Sequence, residues 1–286
     1  MKSSTVRKAK FAGSWYPSSA SECEQEITGF LAEGRDIKLP ERELVGGIVP
    51  HAGWYFSGSI ACNVISRLRG AITPDVIVVF GMHLHPNSQC YLMAEGAWET
   101  PLGEIPVAER LALELAKKFS FTLETPERFN PDNTIELQLP FIKYFFENTK
   151  IVALGVPPSR SSLDIGRSVI GLAKEMDLTA KVIGSTDLTH YGSNYGFTSK
   201  GRGKRAVDWV RSENDRRVID AMLALEPERV INEALASQNA CCAGAAATAI
   251  EAAKNLGASQ ADEVAYATSY DKSPGDSFVG YVGIVM

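Results

Sequence analysis

The sequence predicts a single α/β domain, spanning residues 1–286, whose central and mostly parallel sheet is flanked by helices. Apolar runs rich in β-branched residues recur along the chain, and longer segments with helical periodicity separate them, which is typical of strands joined by helices. No period of about 20–50 residues repeats, and no low-complexity stretch divides the chain. The composition, 45% hydrophobic and 22% charged, indicates a globular protein with a sizeable core.

Apolar runs predict strands at residues 45–49, 75–80, 150–156, 180–183, 263–269 and 278–286. Between them, apolar side chains recur at helical spacing at residues 21–31, 57–68, 108–119, 135–145, 163–176, 204–224 and 243–256. Because helices connect the strands, most strand pairs are expected to be parallel.

Charge and composition exclude several classes of partner. The formal net charge of −5 offers no general attraction for phosphate backbones, so a nucleic-acid partner is not expected. No run of about 18 apolar residues occurs, so no membrane partner is expected. The first residues are too mixed for a signal peptide, and the five cysteines form an odd set with no repeated spacing. We therefore expect a protein of the reducing cytoplasm.

The chain has four histidines, and each follows an apolar, strand-like run: His51, His83, His85 and His190. Parallel strands bring the residues after their carboxyl ends to one crevice, where open α/β sheets bind ligands. Imidazole is the commonest metal ligand and a proton shuttle near neutral pH. Any one of these histidines can equally be a surface or capping residue, but their shared placement favours a metal site or a general base.

Two carboxylates are candidates for moving protons. Glu136 lies near a predicted helix start, where it either completes a capping box with Asn133 or points at the crevice. Asp187 precedes His190 by three residues, where it either caps a turn or accepts a hydrogen bond from an imidazole and so fixes its tautomer. The sequence leaves both alternatives open.

Cys241 and Cys242 precede an alanine-rich helix, whose N-terminus favours the thiolate form that binds metals. Buried, inert cysteine is the alternative for either of them. A site of two histidines and one cysteine suits copper, zinc or iron, and three protein ligands leave open positions for a substrate or dioxygen. Water activation and redox chemistry are both open to such a site.

Motifs in order along the chain resemble those of the Memo family: AGSWYP at 12–17, PHAGW at 50–54 and STDLTHYG at 185–192. The resemblance runs from residue 7 to the C-terminus. It implies a fold similar to that of the class III extradiol dioxygenases, which are non-haem iron enzymes, and a site of two histidines and one cysteine that binds iron or copper. On this chain the implied metal ligands are His51, His83 and Cys242.

The sequence departs from the family's motifs near the implied site. The family's Gly-Pro-Asn/Ser-His is here Gly-Met-His at 81–83, one residue shorter, so His85 is the second choice as a ligand and is otherwise expected to contact the substrate. The family's Glu-His-Ser is here Asp-Asn-Thr at 132–134, which removes an imidazole suited to acid–base work, although Glu136 is retained. The arginine that follows the family's cysteine is absent after Cys242, so a cation for an anionic substrate group is lost.

The leading functional hypothesis is a metal-dependent redox or oxygenase-like protein with one metal ion per chain. Asp187, His190 and Glu136 are expected to handle protons. Iron or copper is the expected metal, and zinc is the alternative, because a hydrolase with a zinc-activated water uses the same ligands.

A different class of function is a non-catalytic adaptor that binds a peptide or phosphopeptide, since some eukaryotic relatives are associated with signalling through phosphorylated receptor peptides. Trp15, Tyr16 and Trp54 are the aromatic candidates for lining a peptide or substrate pocket. The ligand is therefore expected to be a small molecule or a peptide, and the oligomeric state stays open.

Overall fold

The structure, a computed structural model, describes residues 5–38, 41–71 and 73–286. Its strands are β1 (Val6–Arg7), β2 (Gly46–Val49), β3 (Val76–Gly81), β4 (Cys90–Met93), β5 (Ala97–Thr100), β6 (Gly103–Pro106), β7 (Phe121–Glu124), β8 (Lys150–Gly155), β9 (Ala180–Ser185), β10 (His190–Tyr191), β11 (Asp262–Thr268) and β12 (Phe278–Val285). Its helices are α1 (Ala20–Glu33), α2 (Trp54–Arg67), α3 (Glu109–Lys118), α4 (Asn133–Glu136), α5 (Leu139–Phe145), α6 (Arg160–Glu175), α7 (Lys204–Trp209), α8 (Asp215–Leu223), α9 (Pro227–Ser237) and α10 (Ala243–Leu256).

Among the described residues, the main sheet has nine strands in the order β10-β12-β2-β9-β3-β8-β4-β7, with β11 paired to β12. Its centre, β2-β9-β3-β8, is parallel. On either side of this centre the direction changes, because β12 runs antiparallel to β2 and β4 runs antiparallel to β8. A smaller sheet holds β1, β5 and β6. The predicted α/β class is confirmed. The sheet is mixed, because the pairs β10-β12, β11-β12, β12-β2 and β4-β8 are antiparallel, while the central strands and the pair β4-β7 are parallel.

Helices cover both faces of the central strands. Gly47 of β2 faces Val64 of α2, so a Cβ on Gly47 would lie 2.5 Å from that side chain. The next residue, Ile48, points to the opposite face. On that face, its neighbour Gly184 of β9 lies against α10, and a Cβ added to Gly184 would lie 2.7 Å from the Cβ of Ala249. Burial on both faces explains why these strands are continuous apolar runs. No helix in the described part of the chain is long and apolar enough to span a bilayer.

The long apolar strands were predicted within a few residues, as β2, β3, β8, β9, β11 and β12. The strands β1, β10 and β4 to β7 were not predicted, because each has only two to four residues and apolar periodicity needs a longer run to be recognised. Helix α9 was not predicted either, and residues 204–224 were expected to form one helix, whereas a π-helical turn at Val210–Asn214 lies between α7 and α8.

The predicted helix at 135–145 is divided into α4 and α5, since Pro140 starts a new helix more readily than it continues one. The N-cap of α4 is Asp132, whose side chain accepts a hydrogen bond of 3.3 Å from the Ile135 N–H. The interpretation of Asn133 as the N-cap is therefore wrong. The Asn133 side chain instead donates to the His51 carbonyl at 3.0 Å.

Candidate metal centre

The carboxyl ends of β2, β9 and β3 lie side by side, because β9 pairs in parallel with both of the other strands. His51 follows β2 and His83 follows β3, while Asp187 and His190 follow β9. A cavity of about 560 Å³ opens at this edge of the sheet, and all four of these residues line it. Neighbouring parallel strands thus bring together side chains that lie far apart in the sequence.

His51 is buried at the floor of this cavity, and polar groups contact both of its ring nitrogens. Its Nδ1 lies 3.0 Å from the Ser185 hydroxyl, and its Nε2 lies 3.3 Å from the Cys241 sulfur. Its backbone N–H donates to Asp187 Oδ1 at 2.7 Å. Burial disfavours the charged ring, but Asp187 and Cys241 outweigh it and raise the pKa of His51 to about 9.

His83 stands beside His51 with 46% of its side chain exposed. The two rings are perpendicular, with centroids 4.9 Å apart. Met82 has a positive φ of 71°, and its N–H donates to the Thr134 hydroxyl at 2.7 Å, which fixes the turn that leads into His83. His83 Nδ1 lies 3.9 Å from Asp132 Oδ2, so a carboxylate stands behind this imidazole.

Cys241 and Cys242 meet the histidines at the start of α10, with 3.7 Å between their sulfurs. Burial works against the Cys241 thiolate, but hydrogen bonding from Cys242 and the nearby His51 ring lower the pKa of Cys241. Burial and the neighbouring Cys241 sulfur raise the pKa of Cys242.

One donor atom from each of His51, His83, Cys241 and Cys242 lies within 4.8 Å of every other, so these four residues can hold a metal ion. The group includes all three ligands implied by the family resemblance and adds Cys241. His85, the second-choice ligand, is not part of this group and does not line the cavity. It is exposed, and its backbone N–H donates to the Ser88 hydroxyl at 3.1 Å.

Asp187 and His190 both line the cavity. Asp187 is buried, and burial raises its pKa. Its Oδ2 lies 3.9 Å from His51 Nε2. His190 Nδ1 lies 3.1 Å from the Leu188 carbonyl, which can only accept, so Nδ1 carries the proton and Nε2 is the free acceptor of the neutral ring.

Glu136 lies outside the cavity lining and binds the N-terminal segment instead. Its Oε1 accepts hydrogen bonds from the backbone N–H groups of Lys10 and Phe11, at 2.8 and 2.7 Å, and from the Tyr16 hydroxyl at 3.0 Å. Burial raises the pKa of Glu136. Its contacts hold this segment against α4, and its part in proton transfer stays a prediction.

The three aromatic candidates for contacting a ligand, Trp15, Tyr16 and Trp54, differ in their exposure. Trp15 is 41% exposed and lines the cavity. Tyr16 and Trp54 are buried. The Trp54 ring stacks on Phe141 at 4.2 Å, and its Nε1–H donates to the Leu137 carbonyl at 3.1 Å. Of these candidates for contacting a ligand, only Trp15 reaches the cavity.

Sequence reasoning missed part of the cavity wall. Tyr195, Ser269, Ser273, Ser277 and Tyr281 all line the cavity. They come from the loops after β10 and β11 and from β12, and no motif or spacing marks them. Only the pairing of β12 with both β2 and β10 brings them beside the histidines.

The fold and the site together define a class: an α/β protein with a group of imidazoles and thiols, able to hold a metal, at the carboxyl edge of its central strands. The family model described as Memo-like protein matches residues 7–285, and the chain belongs to this family. It is 32% identical over 291 residues to a MEMO1 family protein of Pyrococcus furiosus, covering 98% of this chain and 99% of that protein. It is also 32% identical over 293 residues to a MEMO1 family protein of Methanopyrus kandleri, covering 98% of each.

A solved structure supports the fold independently of sequence. An uncharacterised protein of Escherichia coli K12 superposes with a TM-score of 0.53 at 13% identity, over 85% of this chain and 99% of that one. At this identity the likeness concerns the fold alone.

Proposed function

We propose that this protein binds one transition-metal ion through His51, His83 and Cys242, and uses it in redox chemistry on a small molecule held in the cavity. The observation that carries the proposal is the approach of four metal-binding side chains to within 4.8 Å of one another at the floor of a cavity of about 560 Å³. Iron and copper are the ions that we expect, because both accept imidazole and thiolate ligands and both change oxidation state.

The donor set fits such an ion. His51 and Cys242 are buried, Cys241 is partly buried and His83 is exposed, so soft sulfur and nitrogen donors meet where the cavity opens. When bound, the ion would supply Lewis acidity and an electron-transfer centre. The protein's own contribution is to orient the ligands: the Ser185 hydroxyl contacts His51 Nδ1, which leaves Nε2 directed at the thiols.

We assign proton transfer to Asp187 and His190, which both follow β9. We propose that His190 accepts a proton from the ligand at Nε2, since Nδ1 already contacts the Leu188 carbonyl. Asp187 would serve as a second acceptor, or as a donor when protonated. Its burial keeps the carboxyl from strong hydration, and the His51 N–H holds it in place.

The charges of the side chains that line the cavity help to decide between a small-molecule site and the alternative of an adaptor that binds a phosphopeptide. Among the described residues that line it, none is a lysine or an arginine, and Asp187 is acidic. Phosphate recognition ordinarily relies on arginine side chains that bind two oxygens at once. The lining thus lacks the arginine side chains that a phosphopeptide site ordinarily uses, which favours a small molecule over a phosphopeptide.

Two neighbouring thiols also suit zinc, and Asp187 or His190 can act as the general base for a metal-activated water, so a zinc-dependent hydrolase is the second candidate. The two functions differ in the ion: redox chemistry needs iron or copper, whereas hydrolysis proceeds with zinc.

All five cysteines are free thiols, which fits our proposal that the protein works in the reducing cytoplasm.

The test is metal loading of untagged protein under anaerobic conditions with Fe(II), Cu(I) or Zn(II), followed by measurement of stoichiometry and affinity. We expect one ion per chain in the wild type and in His85→Ala, because His85 lies outside the group. We expect no tight binding in His51→Ala. Oxygen uptake with catechols then separates redox chemistry from hydrolysis. Unchanged binding in His51→Ala would refute the proposed site.

A further inference from the structure

The two adjacent cysteines at the start of α10 point their sulfurs to the same place. Successive residues of an extended chain project to opposite sides, yet these sulfurs are only 3.7 Å apart. Hydrogen bonds to the segment after β9 hold this arrangement. The Cys241 N–H donates to the Asp187 carbonyl at 3.1 Å, and the Cys242 N–H donates to the Thr186 hydroxyl at 3.0 Å. These bonds fix the backbone of both cysteines against the segment after β9, beside His51.

The spacing of these donors matches what a single four-coordinate ion requires. With metal–sulfur bonds of about 2.3 Å and metal–nitrogen bonds of about 2.0–2.1 Å, tetrahedral neighbours lie about 3.8 Å apart for two sulfurs and about 3.6 Å apart for nitrogen and sulfur. The observed distances are 3.7 Å between the two sulfurs and 3.3 Å between His51 Nε2 and Cys241 Sγ. His83 offers the second nitrogen within the same 4.8 Å limit.

We propose that Cys241 and Cys242 bind the metal ion together, so that the site has two thiolates and two imidazoles. The proposal rests on the proposed function only in that an ion binds at this centre. An ion held by His51 and Cys242 alone has Cys241 as its immediate neighbour, because the Cys241 sulfur lies 3.3 Å from the first ligand atom and 3.7 Å from the second.

A second thiolate ligand changes which metal ions the site prefers to bind. Two sulfur and two nitrogen ligands favour Zn(II) and Cu(I) over ions that prefer oxygen, such as Mn(II) and Mg(II). Four protein ligands also complete a tetrahedral coordination sphere, whereas three leave a position open. A cavity ligand then reaches the ion only by adding a fifth contact or by displacing one protein ligand. Cys241 is the more exposed of the two thiols and is the ligand that we expect to be displaced.

The test counts sulfur ligands directly. X-ray absorption of zinc-loaded wild-type protein is expected to give two sulfur and two nitrogen neighbours, and this measurement needs no variant. Cobalt-loaded Cys241→Ala and Cys242→Ala should each lose half of the sulfur-to-cobalt charge-transfer absorption. The matched control is Cys23→Ser, which removes a distant thiol whose hydrogen bond to the Pro17 carbonyl a serine can replace. It should keep the full intensity.

One sulfur neighbour in the wild type, or a Cys241→Ala spectrum equal to the wild type, would overturn the two-thiolate proposal and leave the proposed function standing. Failure of the wild type to bind any of Co(II), Zn(II), Fe(II) and Cu(I) would overturn both.

Discussion

Replacing Asp215 by asparagine tests how the loop that carries His190 is held in place. Asp215 is fully buried at the start of α8. Its carboxyl accepts hydrogen bonds from the backbone N–H of Thr189 at 3.1 Å, from the Thr189 hydroxyl, and from the Tyr266 hydroxyl at 2.7 Å. Burial raises the pKa of Asp215 to about 7, because the hydrogen bonds only partly offset the loss of hydration.

The size of the effect follows from this pKa. The unfolded carboxyl has a pKa of 3.8, so between that value and about 7 the folded protein retains a proton that the unfolded chain has released. The contribution of Asp215 to the free energy of unfolding is therefore fully present below the pKa of the unfolded chain. It falls as the pH rises and is lost above the pKa of the folded protein. At about 1.4 kcal/mol per pH unit, the total loss is about 4 kcal/mol. Asparagine resembles the protonated acid and does not titrate.

The assay is urea unfolding at a series of pH values from about 4 to about 8.5, with the free energy of unfolding of Asp215→Asn compared with that of the wild type. We expect near equality at the acidic end and a variant that is more stable by up to about 4 kcal/mol at the alkaline end. Asp208→Asn, at an exposed position on α7, is the control and should differ little from the wild type. The reasoning would be refuted if the difference in free energy of unfolding between the two proteins did not change with pH. It would also be refuted if the wild type became more stable relative to Asp215→Asn as the pH rises.

Other substitutions test the packing, the N-terminal segment and the metal centre. Gly184→Ala should lower the free energy of unfolding by about 1–3 kcal/mol in thermal denaturation, since two atoms of α10 lie 2.7 and 2.8 Å from the new Cβ. Gly171→Ala, in a helix with nothing within 4 Å, should instead stabilise by about 0.5–1 kcal/mol. Glu136→Ala should speed hydrogen exchange at the backbone amides of residues 10 and 11 and destabilise by about 1–3 kcal/mol, whereas Glu136→Gln keeps an acceptor and most of the protection. Equal exchange in the two variants would contradict this explanation. Free zinc at a hundred times its dissociation constant should raise the wild-type free energy of unfolding by about 2.7 kcal/mol, and an equal rise in His51→Ala would argue against the site.

Much of the centre of the fold was predictable because burial on both faces of a strand leaves a direct mark on the sequence. The strands β2, β3, β8 and β9 consist mostly of apolar residues, and segments with helical periodicity separate them. The placement of His51, His83 and His190 just after such runs was therefore visible in the sequence, as was the possibility of a metal site at their shared edge. Short strands such as β10 leave no such mark, since two residues cannot show a period.

The direction of each side chain was decided by tertiary packing. Glu136 and His85 were both site candidates, yet one binds the N-terminal segment and the other is exposed, because the direction of each side chain depends on the local backbone and on the segments that pack against it. Likewise, the sequence shows two adjacent cysteines, but only the tertiary structure places both sulfurs in one group with His51 and His83. The sequence by itself determined which residues are apolar together and which polar residues end the strands. Strand order and backbone hydrogen bonds between distant segments determined which polar groups meet, because these contacts depend on the packing of the whole chain.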